Sequence, residues 1–520
     1  MGFALCTMFQ NACRSSDGGA GRDRHATDNL IHGWVAPDGN DSAAGTMETP
    51  LATLRRAVAL GMDIIHLKPG RYDEQEILLT RSVQIQGPTT GRALLTGHVF
   101  VSTDNIRIER VDLGGGLAAH RVQGLTIAEG RAASGVRDET LLFTNTDARL
   151  EDLEVTPGPE AGLLAVSSTL TLIRFQVRAR EETERSIRID RSVLEAKVLT
   201  AEAGTITHIQ VADHSRASFE DVDIGGTEGS GLMILSSSTV TVERGRFKTS
   251  SRFGVIVQDS RARLTATEFM GATEGTVGVQ GGYLQIDTST IGPSPGGALV
   301  LSAHHDRLAR VELMNTTIAH GPFDGARVSG GRLVAHESRF VGSPTDKPDA
   351  GSAAIAHGVS AHVDFVGVQV ETPAGHGLVV TEDASARISG RIDKPGAGGL
   401  LIENVRVAPT VQIEHLEIDD CRTGSAIVAI DSEMAIDDLV VRGCPEAGVL
   451  SGARSAVMIR KSRITGPGRY GFAAFGEATL TIEDVRAEDR TWATFASCAE
   501  GARVLQKGEN HLTGRVIQCP

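Results

Sequence analysis

The chain has 520 residues, 51 Lys plus Arg against 65 Asp plus Glu, and 40% hydrophobic residues. It is too apolar for a disordered chain and too polar for a multi-span membrane protein. A net charge of −14 lacks the basic footprint that a general nucleic-acid binder needs. Glycine is abundant at 60 residues and aromatics make up only 4%, which points to many tight turns around a thin, layered core.

The chain opens with a short apolar segment, Gly2–Ala12 (GFALCTMFQNA), then Cys13 and the polar run RSSDGGAGRDRHATD. No stretch is long and apolar enough to cross a membrane as a helix. The layout resembles a bacterial lipoprotein: hydrophobic stretch, small Ala12, lipidated cysteine, flexible tether. Gln10 stands where the lipobox usually has Leu, and the basic n-region is missing. The resemblance implies lipidation at Cys13, with residues 1–32 as leader and tether and membrane contact through a lipid anchor only.

Residues 34–74 read WVAPDGNDSAAGTMETPLATLRRAVALGMDIIHLKPGRYDE. Thr49 suits an N-cap and Pro50 a first helical position. Leu51, Leu54 and Val58 then form one apolar stripe, and Gly61 ends the helix. Such a helix would cover an open sheet end. Asp38, Gly39, Asn40 and Asp41 are turn formers. Calcium finds no motif here, since Asp38, Asn40 and Ser42 lack the later Gly and Glu of an EF-hand loop. The stretch resembles the opening of bacterial pectate-lyase-like, right-handed parallel β-helix proteins. The matching residues are Asp38, Gly39, Asp41, Gly45, Thr46, Pro50, Thr53, Leu54, Pro69, Gly70 and Tyr72. The resemblance implies the fold and leaves the activity open, because the family includes lyases, hydrolases, epimerases and adhesins.

The rest of the chain is organised by a repeat. Apolar anchors recur at Val155, Val177, Ile224, Phe247, Phe269, Ile291, Ile318, Phe340, Val370, Ile392, Ile418, Val441 and Ile464, most often 22 or 23 residues apart. A second apolar run follows most anchors, starting at a glycine such as Gly231, Gly254, Gly297, Gly377, Gly399 or Gly448. A third, alternating run precedes the next anchor. Three short strands per repeat cannot bury their faces alone; stacked in parallel, they can. The expected architecture is all-β: a right-handed parallel β-helix of about 20 coils, ~95 Å long at ~4.8 Å per coil. It fills residues 33–520 as one domain, with the cap and first coil at 33–75.

Three coils are long: Ile291–Ile318, Phe340–Val370 and Ile392–Ile418. Inserts on rigid scaffolds are where binding residues concentrate. The first carries His304, His305, Asp306 and Arg307, in which one histidine could act as general base with Asp306 as orienter. The middle one carries Asp346, Lys347 and Asp349, a candidate binding loop. The plainer reading of these inserts is a solvated polar loop.

Four of six cysteines lie in the last hundred residues. Cys421 and Cys444 occupy the same place in consecutive coils, and Cys498 and Cys519 are close to one coil apart. In-register neighbours sit ~4.8 Å apart, within disulfide reach. Two staples are therefore expected across residues 415–520, and with them an oxidising location: periplasm, outer-membrane surface or outside the cell.

Convergent chemistry is hard to find. Asn145-Thr146-Asp147 and Gly375-His376-Gly377 echo polygalacturonase-like motifs but lie about ten coils apart. The Asp pairs Asp419-Asp420 and Asp437-Asp438 follow the second motif instead of separating the two. Aromatic platforms for sugars are few. The reading is a non-catalytic, monomeric envelope protein acting as a rigid structural or binding element, without cofactor. Its expected partner is a polysaccharide or another envelope protein. The rivals are a polysaccharide lyase, hydrolase or epimerase, and an adhesive spike.

Overall fold

A computed structural model describes residues 30–134, 137–178, 180, 183–343, 351–406 and 411–517. Segments one repeat apart lie on top of one another. Val155 pairs with Val177, Ile224 with Phe247, Phe247 with Phe269, Phe269 with Ile291 and Ile291 with Ile318. The ladder continues from Ile318 to Phe340, Val370, Ile392, Ile418, Val441 and Ile464. Ala201 is the rung between Val177 and Ile224, too small to stand out as an anchor in the sequence. All these pairings are parallel, and the stack makes about 19 turns.

Each coil has three faces. The second apolar run forms one sheet, with strands such as Ala161–Val166, Arg185–Asp190 and Thr207–Ala212. The third run and the anchor form the other two faces. In the middle of the rod these join into single strands, such as Thr169–Val177 and Thr239–Phe247. Each is bent at one residue of positive φ, Arg174 (49°) and Arg244 (56°) in these two. Elsewhere the halves separate, as in Arg261–Thr265 and Glu268–Phe269.

The corners explain two sequence features. The glycine that starts most second runs faces the anchor ladder. A Cβ on Gly377 would lie 2.6 Å from Ile392 Cδ1, and one on Gly448 2.2 Å from Ile464 Cδ1. His208 stands level with Gly231 in this column, where the local anchor is only Ala201. Its ring is buried, with Nδ1 3.0 Å from Ser186 Oγ and 2.9 Å from Thr205 Oγ1. Burial lowers its pKa to about 4.

At the opposite corner buried hydroxyls form a ladder. The backbone N–H groups of Thr146, Ser168, Ser192 and Ser215 each donate to the hydroxyl one coil later, on Ser168, Ser192, Ser215 and Ser238 at 2.9–3.2 Å. Turn amides that the sheets cannot pair are satisfied this way.

The cap differs from the expectation. The helix (α1) spans Leu54–Ala59, with Thr53 as N-cap accepting from Arg56 N, so Thr49 and Pro50 lie outside it. Leu51 is claimed instead by the first coil, where its N–H donates to Trp34 O and its C=O accepts from Ala36 N, both at 2.9 Å. Asp41 is more than a turn former. Its Oδ1 accepts from Ala52 N and Thr53 N at 2.9 Å, while Glu74 accepts from Leu54 N at 2.7 Å. Leu51, Leu54 and Val58 are all buried, so the stripe seals the first coil. The stack begins earlier than the helix, with His32–Val35 pairing onto Ile64–Leu67.

Cys421 and Cys444 form a disulfide with Cα atoms 4.6 Å apart. Cys498 is disulfide-bonded too. Cys519 lies outside the described residues, as does Cys13.

Candidate functional site

The first long coil builds a groove. After the strand Leu299–Ser302, the chain makes a two-residue hairpin in which His304 and Arg307 exchange both backbone hydrogen bonds at 3.0 Å. His305 and Asp306 occupy its tip with φ of 45° and 63°, the geometry of a type I′ turn. The hairpin folds back over Gly281, also at positive φ (63°). A Cβ there would lie 2.7 Å from Asp259 Oδ1 and 3.1 Å from Cβ of both His304 and Arg307.

Beside the hairpin lies an open groove of about 840 Å³ on the outer face of the third-run strands. Its charged and aromatic lining is Asp259, Arg261, Tyr283, Arg307, Arg310 and Glu312. Arg261, Tyr283 and Arg310 are successive rungs of one outward column. Tyr283 donates to Glu312 Oε2 at 2.8 Å, and Arg310 Nε donates to Glu312 Oε1 at 3.1 Å. The Arg310 guanidinium lies 5.8 Å from the Tyr283 ring centre. Partial burial, then the bond to Glu312, pushes the Tyr283 hydroxyl's pKa up. Burial alone would raise Glu312, but the bonds from Tyr283 and Arg310 outweigh it and hold the carboxyl below its usual range. Arg261 and Arg307 have no carboxylate partner among the described residues.

The predicted site residues are brought together unevenly. His304 Nδ1 is 2.8 Å from Asp259 Oδ2, and Nε2 is 2.8 Å from Gln258 Nε2. Since the Gln258 amide nitrogen can only donate, His304 Nε2 accepts and Nδ1–H donates to Asp259. The orienting carboxylate is thus Asp259, not Asp306, which is exposed at the hairpin tip. His305 is exposed and packs edge-on against His304, with ring centres 4.1 Å apart. Asp346, Lys347 and Asp349 lie outside the described residues. Arg261, Tyr283, Arg310 and Glu312 were not singled out by the sequence. A signal existed: Arg261, Tyr283, Arg310 and Arg332 each stand eight residues before an anchor.

The remaining motifs are structural. Asn145 turns a corner at φ 50°, and Thr146 belongs to the hydroxyl ladder. Asp419 is buried and takes Arg442 at 2.8 Å and Arg391 at 2.9 Å from neighbouring coils. No group of three or more His, Cys, Asp or Glu side chains among the described residues is placed to hold a metal ion.

A family profile described as a protein of unknown function (DUF1565) matches residues 37–155, the cap and opening coils. The chain is a parallel β-helix protein. No curated protein matches this β-helix chain. Among solved structures it is similar to pectate lyase Pel9A at 11% identity, over 81% of this chain and 79% of that one, with a TM-score of 0.19. It is similar to the PL6 family alginate lyase AlyGC at 8% identity, over 86% and 97%, with a TM-score of 0.20. The catalytic unit of a GH87 alpha-1,3-glucanase from Streptomyces thermodiastaticus matches at 12% identity, over 86% and 62%, again with a TM-score of 0.20.

Proposed function

We propose that this β-helix is a non-catalytic binding element of the bacterial cell envelope that holds an anionic polysaccharide along the arginine-lined groove. The carrying observation is the local reversal of charge. In a chain of net charge −14, three guanidiniums face one groove, and Arg261 and Arg307 are left without carboxylate partners among the described residues. Guanidinium forks suit carboxylate and sulfate oxygens, and Tyr283 offers one flat face for a sugar ring. The same groups argue against turnover. His304 has both nitrogens engaged, Tyr283 already donates to Glu312, and Glu312 is held ionised. Tyr283 and Glu312 are pushed apart in pKa, but they spend that difference on the hydrogen bond to each other. The Cys421–Cys444 bridge supports an envelope or extracellular location.

The enzymatic rival, a lyase, hydrolase or epimerase working at residues 302–310, is favoured by one feature, the His304–Asp259 pair at the groove's edge. Affinity electrophoresis in polygalacturonate, alginate and neutral dextran separates the readings. The expected result is retardation by the two acidic polymers only, weakening with salt, and no new reducing ends or unsaturated uronates. Turnover that disappears in His304→Ala would overturn the non-catalytic reading, and equal retardation by dextran would overturn the ionic one.

A further inference from the structure

We infer a second ligand site, for a small hydroxylated oxyanion, in the corner cleft of the first coils. It is separate from the groove, being built from residues 55–137 instead of 237–312. The cleft encloses about 630 Å³ between the capping helix, the strand Gly70–Tyr72 and the start of the strand His98–Val101. Bare backbone forms one wall. A Cβ on Gly97 would lie 1.8 Å from Glu74 O, and one on Gly115 2.4 Å from Gly97 C, so consecutive coils close up without side chains.

Two cations there make no side-chain ion pair among the described residues, although the charge of Arg55 acts on the Glu74 carboxylate that its backbone N–H also reaches at 3.1 Å. Arg55 donates from one terminal nitrogen to Glu76 O at 3.3 Å, and Arg137 lies over the Phe100 ring at 5.3 Å. Two of the three acids that line the cleft are already committed, and Glu76 alone is left without an ion pair or a cap among the described residues. Asp73 pairs with Arg71 at 2.6 Å, and Glu74 caps the helix.

The deciding group is His98. It is 7% exposed, and its ring packs edge-on against Phe100 with centres 4.4 Å apart. Nδ1 lies 2.8 Å from Gly115 O. A carbonyl only accepts, so Nδ1 carries the proton and Nε2 presents a lone pair. That Nε2 is buried without a hydrogen-bond partner, a state that buried polar atoms seldom keep. Burial and then the charge of Arg137 lower its pKa, so the lone pair stays free near neutrality. A ligand whose oxyanion sits on Arg55 and Arg137 and whose hydroxyl donates to His98 Nε2 satisfies all three groups. A sugar acid and a sugar phosphate both have that chemistry.

Calorimetric titration of the full chain with glucuronate, glucose 6-phosphate and glucose tests this. Saturable binding of either acidic probe and none of glucose is expected, and the probe that binds identifies carboxylate or phosphate as the anion. Arg55→Gln and Arg137→Gln should each weaken it roughly tenfold, as loss of a charge-assisted bond does. His98→Phe should weaken it too, and Arg137→Lys should recover part. Arg244→Gln, remote from the cleft, should bind as wild type, and thermal midpoints report folding of each variant. The inference is overturned if no acidic probe saturates, if glucose binds equally, or if both glutamine variants bind unchanged. Loss of polymer retardation with probe binding intact would sink the groove reading alone.

Discussion

Two regions of the same rod use arginine in opposite ways. In the coils around residues 150–247, arginines at or near the bends are clamped between coils. Arg174 meets Asp152 at 2.5 Å and Glu151 at 2.9 Å, and Arg178 meets Glu154 at 3.0 Å and Glu202 at 2.8 Å. Arg244 meets Asp221 at 2.7 Å and also pairs with Glu220 and Glu243. Hydrogen bonds from Arg174 and Arg244 hold Asp152 and Asp221 below the usual carboxylate range. One coil and about three coils further on, Arg261 and Arg307 have no such partners among the described residues. Both sets are exposed arginines on the outside of the stack. What separates a strut from a binding group is the carboxylate one coil away, so function here is a matter of missing counter-charges.

Both regions stand on one ladder, and removing a rung should damage them together. Phe247 and Phe269 stack with centres 5.3 Å apart and are almost fully buried. Phe247→Ala should lower stability by about 3–5 kcal/mol in denaturant unfolding, and polymer retardation should fall with it. If retardation survives unchanged, the groove does not depend on the ladder beneath it.

The clamped region carries a pH liability of its own in a buried histidine. His208 is neutral in the fold because its pKa is lowered to about 4. Between pH ~6.5 and ~4 the unfolded chain takes the proton and the folded chain does not, so stability falls with falling pH, by ~3 kcal/mol in all. It should be flat in this respect above pH ~6.5. His208→Ser, matching Ser186 in the same column, should flatten the profile of thermal midpoints over that window. An unchanged slope would place the acid sensitivity elsewhere.

A local break in the groove comes next. Gly281→Ala puts a Cβ against Asp259 and the hairpin, at a positive φ. It should cost ~1–3 kcal/mol in strain and weaken retardation. Gly443→Ala, also at positive φ but beside the disulfide, should affect stability and leave retardation intact.

The coil register was legible because inward residues must repeat: an anchor out of step would leave a void in every neighbouring coil. The same logic placed Cys421 over Cys444. The helix start was not, because Thr49-Pro50 has good capping chemistry and only the pairing of Leu51 with Trp34 and Ala36 shifts the helix onward. The hairpin was legible as an insert, but its orienting acid was not. Asp259 lies 45 positions from His304, and spacing along one strand cannot reveal a neighbour two coils back. The groove arginines were the least visible, since outward residues are free to vary; they emerge only when positions eight before each anchor are compared.

The most direct test removes the same charge from each region. Arg261→Gln/Arg307→Gln and Arg174→Gln/Arg244→Gln are compared for retardation in polygalacturonate at one ionic strength. The groove pair should lose about tenfold or more in apparent affinity with an unchanged thermal midpoint. The clamped pair should bind as wild type. Equal losses in both would mean that general surface charge holds the polymer, and the groove would not be its site.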